Sequence, residues 1–91
     1  MTVESQNETP ENRIKRLQMR SWRRGTKEMD MILGPFSDTE LTTLTAAELD
    51  IYDALLWEND QELYTWVNGS APTPEQYLDL ISTISQHALK K

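Results

Sequence analysis

Apolar residues recur along this chain at helical spacing, and no segment alternates apolar with polar as a half-buried strand does. Residues 1–12 are polar, lack periodicity and contain Pro10, so they read as a flexible tail before one helical domain over residues 13–91. A first helix is predicted from Glu11 to Arg24. Projected around a helix, Ile14 and Leu17 share a stripe with Trp22 at its edge, while Arg13, Arg16, Arg20, Arg23 and Arg24 gather opposite. Gly25 then weakens the helix, because glycine costs about 1 kcal/mol relative to alanine in a helix interior. Thr26 suits the cap of a second helix, with Glu28 in its first turn against the helix dipole. Met29, Ile32, Leu33 and Phe36 follow at core spacing, and Gly34-Pro35 is expected to end the regular pattern.

Ser37 with Glu40 and Thr45 with Glu48 both fit a capping box, and the second is the better start for helix three, with Leu49, Tyr52, Leu55 and Leu56 inward. Asp60 is expected to cap a short fourth helix carrying Leu63, Trp66 and Val67, which Asn68-Gly69 terminates. Thr73-Pro74-Glu75-Gln76 places proline at the first position of a fifth helix, with Tyr77, Leu80, Ile81, Ile84 and Ala88 on one face. The expected fold is all-α: a compact five-helix bundle in a single small domain.

Composition narrows the chemistry. A chain of 91 residues makes one domain with a modest core, and a pocket for a large dinucleotide cofactor would take roughly 300–1,000 Å³ of it. The absence of cysteine removes disulfides, thiolate metal sites and a thiol nucleophile. The single histidine, His87, is expected to be a solvated helix-end residue. No carboxylate pair, His–carboxylate set or phosphate loop is recognisable, so no catalytic, metal or cofactor-binding residue is assigned. No stretch nears the ~20 apolar residues of a membrane span. The N-terminus lacks a basic, apolar leader, which makes an unprocessed cytoplasmic protein the plain expectation and a processed mitochondrial matrix form the alternative.

Charge is segregated beneath a net value of −6. Arg13 to Lys27 holds seven basic residues and no acid, whereas Glu28 to Leu89 holds twelve acids and neither lysine nor arginine. The arginine stripe has three readings: a solvated face, a nucleic-acid surface, or a set of forks for carboxylates. Those carboxylates belong either to a partner protein or to this domain's own acidic helices. The acidic remainder opposes the second reading. Arg24-Gly25-Thr26-Lys27-Glu28 reads on residue types alone as a helix break. Trp22, Trp57 and Trp66 read as packing residues.

The run Arg20-Ser21-Trp22-Arg23-Arg24-Gly25-Thr26-Lys27-Glu28-Met29-Asp30, with Leu33-Gly34-Pro35-Phe36 after it, resembles the succinate dehydrogenase assembly (flavinylation) factor family. The family's RGxxE motif stands here as Arg24, Gly25 and Glu28, extended by Asp30. A second block, Leu55-Leu56-Trp57 to Leu63-Tyr64-Thr65-Trp66, looks like the family's leucine pair, acidic turn and Leu…Trp helix. It departs at Glu58-Asn59, where a proline often precedes the turn. The resemblance covers roughly residues 13–88. It implies a five-helix factor that binds the flavoprotein subunit of succinate dehydrogenase, in some organisms of fumarate reductase. That factor promotes covalent attachment of the partner's FAD to a histidine without holding flavin stably itself. Arg16, Arg20, Arg23, Arg24, Gly25, Glu28 and Asp30 are then the expected partner-binding residues of a protein that is a monomer when free, with no nucleic acid and no membrane insertion. The alternative is a small regulatory or antitoxin-like protein that uses the basic first helix on nucleic acid or a toxin.

Overall fold

The computed structural model describes residues 8–89, and among them five α-helices and no strand are present. They are α1 (Pro10–Ser21), α2 (Lys27–Glu40), α3 (Ala46–Leu55), α4 (Asp60–Asn68) and α5 (Leu78–Leu89). Short 3₁₀ turns at Leu41–Thr43 and Glu75–Tyr77 lead into α3 and α5. Of the tail expected over residues 1–12, the first seven lie outside the described residues. Thr9 already caps α1, its side chain accepting from Asn12 N–H, with Pro10 in the first turn where a missing N–H costs nothing. The helix ends at Ser21, three residues short of the expected Arg24.

The second helix corrects a sequence expectation. Gly34-Pro35 does not end it, and α2 continues to Glu40. Proline inside a helix removes one backbone hydrogen bond and costs roughly 3 kcal/mol. Continuing the helix buries Phe36 against Tyr52 and His87, ring centroids 5.8 and 5.5 Å away, which offsets that cost. Ser37 does not cap anything either. It is buried, and its hydroxyl donates to the Gly34 carbonyl at 2.7 Å. Gly34 itself is needed for space, because a Cβ built there would overlap the indole of Trp22, which lies flat against this turn.

Later boundaries follow the sequence more closely. Thr45 and Glu48 form the full capping box at the start of α3. Gly69, at φ 81°, closes α4 in the left-handed conformation that glycine adopts without strain. Pro74 precedes a 3₁₀ turn, so the regular part of α5 starts at Leu78. α2 and α5 form the centre of the bundle, with α1 and α4 packed across them. The core runs through Leu17, Leu33, Tyr52, Leu55, Leu63 and Ile84, all fully or almost fully buried. Among the described residues a buried polar link joins α1 to α3. Ser21 donates to the Leu17 carbonyl at 2.7 Å, which leaves the Tyr52 hydroxyl to donate to Ser21 at 2.6 Å. Burial raises the Tyr52 phenol to about 12, because the phenolate would lose its hydration there.

Candidate functional site

The connection between α1 and α2 and the connection between α3 and α4 meet at one knot. Arg24 leaves the end of α1 and inserts between them with its side chain only 9% exposed. Its Nε and Nη2 donate to Asp60 Oδ1 at 2.7 and 2.6 Å, its Nη1 donates to the Leu56 carbonyl at 2.5 Å, and Nη2 also reaches the Glu58 carbonyl at 2.8 Å. The second Asp60 oxygen accepts the backbone N–H groups of Gly25 (2.6 Å) and Thr26 (3.1 Å). Asp30, in the first turn of α2, accepts the Arg24 N–H at 2.7 Å. A planar cation with five donors suits this task, since one fork satisfies a carboxylate and two end-of-helix carbonyls together. Asp60 therefore has a different role from the one its position suggests. Asn59 caps α4, its Oδ1 accepting from Gln61 and Glu62, which frees the Asp60 carboxylate to cross to the other connection.

The knot leaves two motif residues on the outside. Gly25 and Glu28 are exposed, and the Glu28 side chain makes no hydrogen bond or ion pair among the described residues. An added Cβ at Gly25 would meet Asp60 Oδ2 at 3.3 Å, tight but tolerable.

The arginine stripe is mostly turned onto the domain's own acids. Arg13 pairs with Asp50 of α3, Arg16 with both Glu8 and Asp53, and Arg20 with Asp53. Hydrogen bonds to Glu8 and then Asp53 push the Arg16 guanidinium up, and the same contact with Arg16 holds the Glu8 carboxyl below its usual range. Arg20 also caps the Leu56 carbonyl and lies 4.5 Å over the ring of Trp57. Of the seven residues expected to face a partner, Arg23, Gly25 and Glu28 are exposed, while Arg16, Arg20, Arg24 and Asp30 are engaged within the chain.

His87 corrects another expectation. It is half-buried rather than solvated, with Nε2 2.9 Å from the Thr39 hydroxyl and its ring edge-on to Phe36. The extension of α2 past Pro35 is what covers it. No group of three or more metal-ligating side chains occurs among the described residues. None of the described helices is long and apolar enough to cross a membrane.

Fold and site together define a small all-helical domain whose most distinctive residues brace two connections and leave an exposed corner between them. The sequence profile described as "Flavinator of succinate dehydrogenase" matches residues 15–88. The mitochondrial succinate dehydrogenase assembly factor 2 of Candida glabrata is 39% identical over 74 residues, which is 78% of this chain and 48% of that protein. Its counterpart in Mycosarcoma maydis is 36% identical over 77 residues, 85% of this chain and 32% of that protein. The FAD assembly factor SdhE of Legionella pneumophila (strain Lens) is 35% identical over 74 residues, 81% of this chain and 94% of that protein. The chain belongs to the succinate dehydrogenase flavinator family. It spans about a third to a half of the length of its mitochondrial relatives.

Proposed function

We propose that this chain is an assembly factor, not an enzyme, that binds the flavoprotein subunit of succinate dehydrogenase and promotes covalent attachment of its FAD. The observation that carries the reading is the division of labour in the motif. Arg24 is spent inside the knot, whereas Gly25 and Glu28 are held outside it on a braced, exposed corner. A fixed corner suits a factor that works by holding a partner in a reactive arrangement, which is a proximity effect. FAD stays with the partner. The open groove of about 370 Å³ beside the motif is lined by Arg16, Met19, Arg20, Arg23 and Arg24, but Arg16, Arg20 and Arg24 already face carboxylates, so little cationic capacity is left for a pyrophosphate. The same pairing withdraws support from a nucleic-acid role of α1. The flavoprotein of fumarate reductase is a second substrate of the same chemistry, and the free chain is a monomer. In a bacterial cell it acts in the cytoplasm, and in a eukaryotic one in the mitochondrial matrix.

The test is covalent flavin per flavoprotein subunit, read by in-gel fluorescence, in cells lacking the native factor. The unaltered chain is expected to restore flavinylation. Glu28→Gln and Gly25→Arg, at matched protein level and with unchanged helicity, are expected not to. Full flavinylation by both variants, or none with the unaltered chain, refutes the reading.

A further inference from the structure

Trp57 is the most exposed aromatic side chain among the described residues, at 79%, yet the backbone that carries it is fixed from several directions and Arg20 lies over its ring. Its backbone N–H donates to the Ala54 carbonyl at 3.1 Å. The carbonyls on either side of it, those of Leu56 and Glu58, are both gripped by Arg24. Glu58 is pinned further by the Tyr77 hydroxyl, which donates to its carboxylate at 2.8 Å. Arg20 completes the arrangement, since its guanidinium lies 4.5 Å over the indole while Asp53 and the Leu56 carbonyl hold it there. An exposed indole that serves no packing role would gain entropy by moving, so a fixed one has its ordering cost already met before any partner arrives.

We infer that Trp57 is a preorganised aromatic anchor for the flavoprotein subunit, with Arg20 as the residue that positions it; this rests on the function proposed above. The occupant is identified by continuity and charge. The backbone on both sides of Trp57 and the N–H of Gly25 are tied into the same Arg24–Asp60 knot, with Glu28 three residues beyond Gly25, so a partner seated on that corner is offered the indole on the same braced surface. Met19, more than half exposed, and Arg23 lie along the same groove as Arg20, and Arg23 has no ion-pair partner among the described residues. The matching surface is an apolar depression that takes the indole, rimmed by carboxylates facing Arg23, since Arg20 is already paired with Asp53. Two copies of this chain related by a two-fold axis would oppose arginine to arginine at this spot, which argues against self-pairing.

The experiment titrates the unaltered chain, Trp57→Ala, Arg20→Lys, the double variant of these two and Gly25→Arg into purified flavoprotein subunit made without an assembly factor. Because the side chain is exposed, Trp57→Ala should melt with the unaltered chain. It should bind about 30-fold more weakly or worse, the scale of an aromatic hot spot. Arg20→Lys keeps the charge but loses the planar stack, and should weaken binding about two- to fivefold. In the Trp57→Ala background it should add nothing, a coupling that a separate salt bridge to the partner would not show. If Trp57→Ala binds within about twofold of the unaltered chain while Gly25→Arg does not bind, the anchor is refuted and the proposed function stands. Additive losses from Arg20→Lys and Trp57→Ala refute the positioning role. A dimer of the free chain that Trp57→Ala dissolves, with complex formation unchanged, makes a second copy the occupant and overturns the inference. Failure of the unaltered chain to bind the flavoprotein overturns the function and the anchor together.

Discussion

Asp60→Ala gives the sharpest test of the knot. The substitution removes the acceptor of both Arg24 contacts and of the Gly25 and Thr26 N–H groups. The backbone groups are cheap to release, because Gly25 is exposed and water replaces the carboxylate there. Arg24 is different. With its side chain 9% exposed it is left as a cation without a counter-charge, a situation that costs about 3–5 kcal/mol when a buried pair is broken from one side. The Leu56 and Glu58 carbonyls still accept from it, which places the loss near the lower end, about 3 kcal/mol. For a domain this size that corresponds to a melting point lower by about 12–24 °C. Asp60→Asn keeps an acceptor of the same shape but no charge, and is expected to lose about 1–2 kcal/mol. Thermal and urea unfolding followed by far-UV circular dichroism measure both. A melting point for Asp60→Ala within about 2 °C of the unaltered chain would show that the knot is solvated and that Arg24 does not brace the two connections. Glu28→Gln, which breaks no contact among the described residues, supplies the contrast. It should leave the melting curve in place while abolishing flavinylation.

Other substitutions probe the rest of the bundle. Gly34→Ala should force the Trp22 indole outward and break its hydrogen bond to Asp38, lowering stability by about 1–3 kcal/mol with a red-shifted tryptophan emission. Reversing Arg16 and Arg20 to glutamate places carboxylates against Asp53, so the double variant should unfold more easily in urea, and more so at low salt than at high salt. Tyr52 gives a pH signature at the alkaline end. Its folded pKa of about 12 lies above the usual 10.0, so its contribution is complete below pH 10 and lost as the pH rises through 12. The full span is about 2–3 kcal/mol, and Tyr52→Phe should remove this slope while costing about 1 kcal/mol at neutral pH. An unchanged slope in Tyr52→Phe would assign the alkaline loss to another group.

Helix number, helix order and most start signals were written locally, in residues that act on their neighbours. Thr26, the Thr45–Glu48 box and Gly69 each satisfy or terminate backbone groups within one turn of themselves, so their meaning survives without knowledge of the fold. The inward stripes of α2, α3 and α5 were legible for the same reason, since helical periodicity depends only on spacing. Family membership was legible too, because the motif blocks are contiguous in the chain. What local reasoning could not reach was any feature decided between elements. Pro35 reads as a stop by its own geometry, and only the burial of Phe36 and Ser37 against other helices carries α2 past it. Asp60 reads as a cap, and only the proximity of the other connection turns its carboxylate to Arg24. The arginines of α1 read as forks for carboxylates of either a partner or this domain, and only the packing that brings Asp50 and Asp53 of α3 against them, across more than thirty residues of chain, decides for the domain's own acids. The physical reason is common to all three. Hydrogen-bond caps and periodicity are set within a turn or two, whereas ion pairs and core burial depend on which distant segments the packed core brings within a few ångströms.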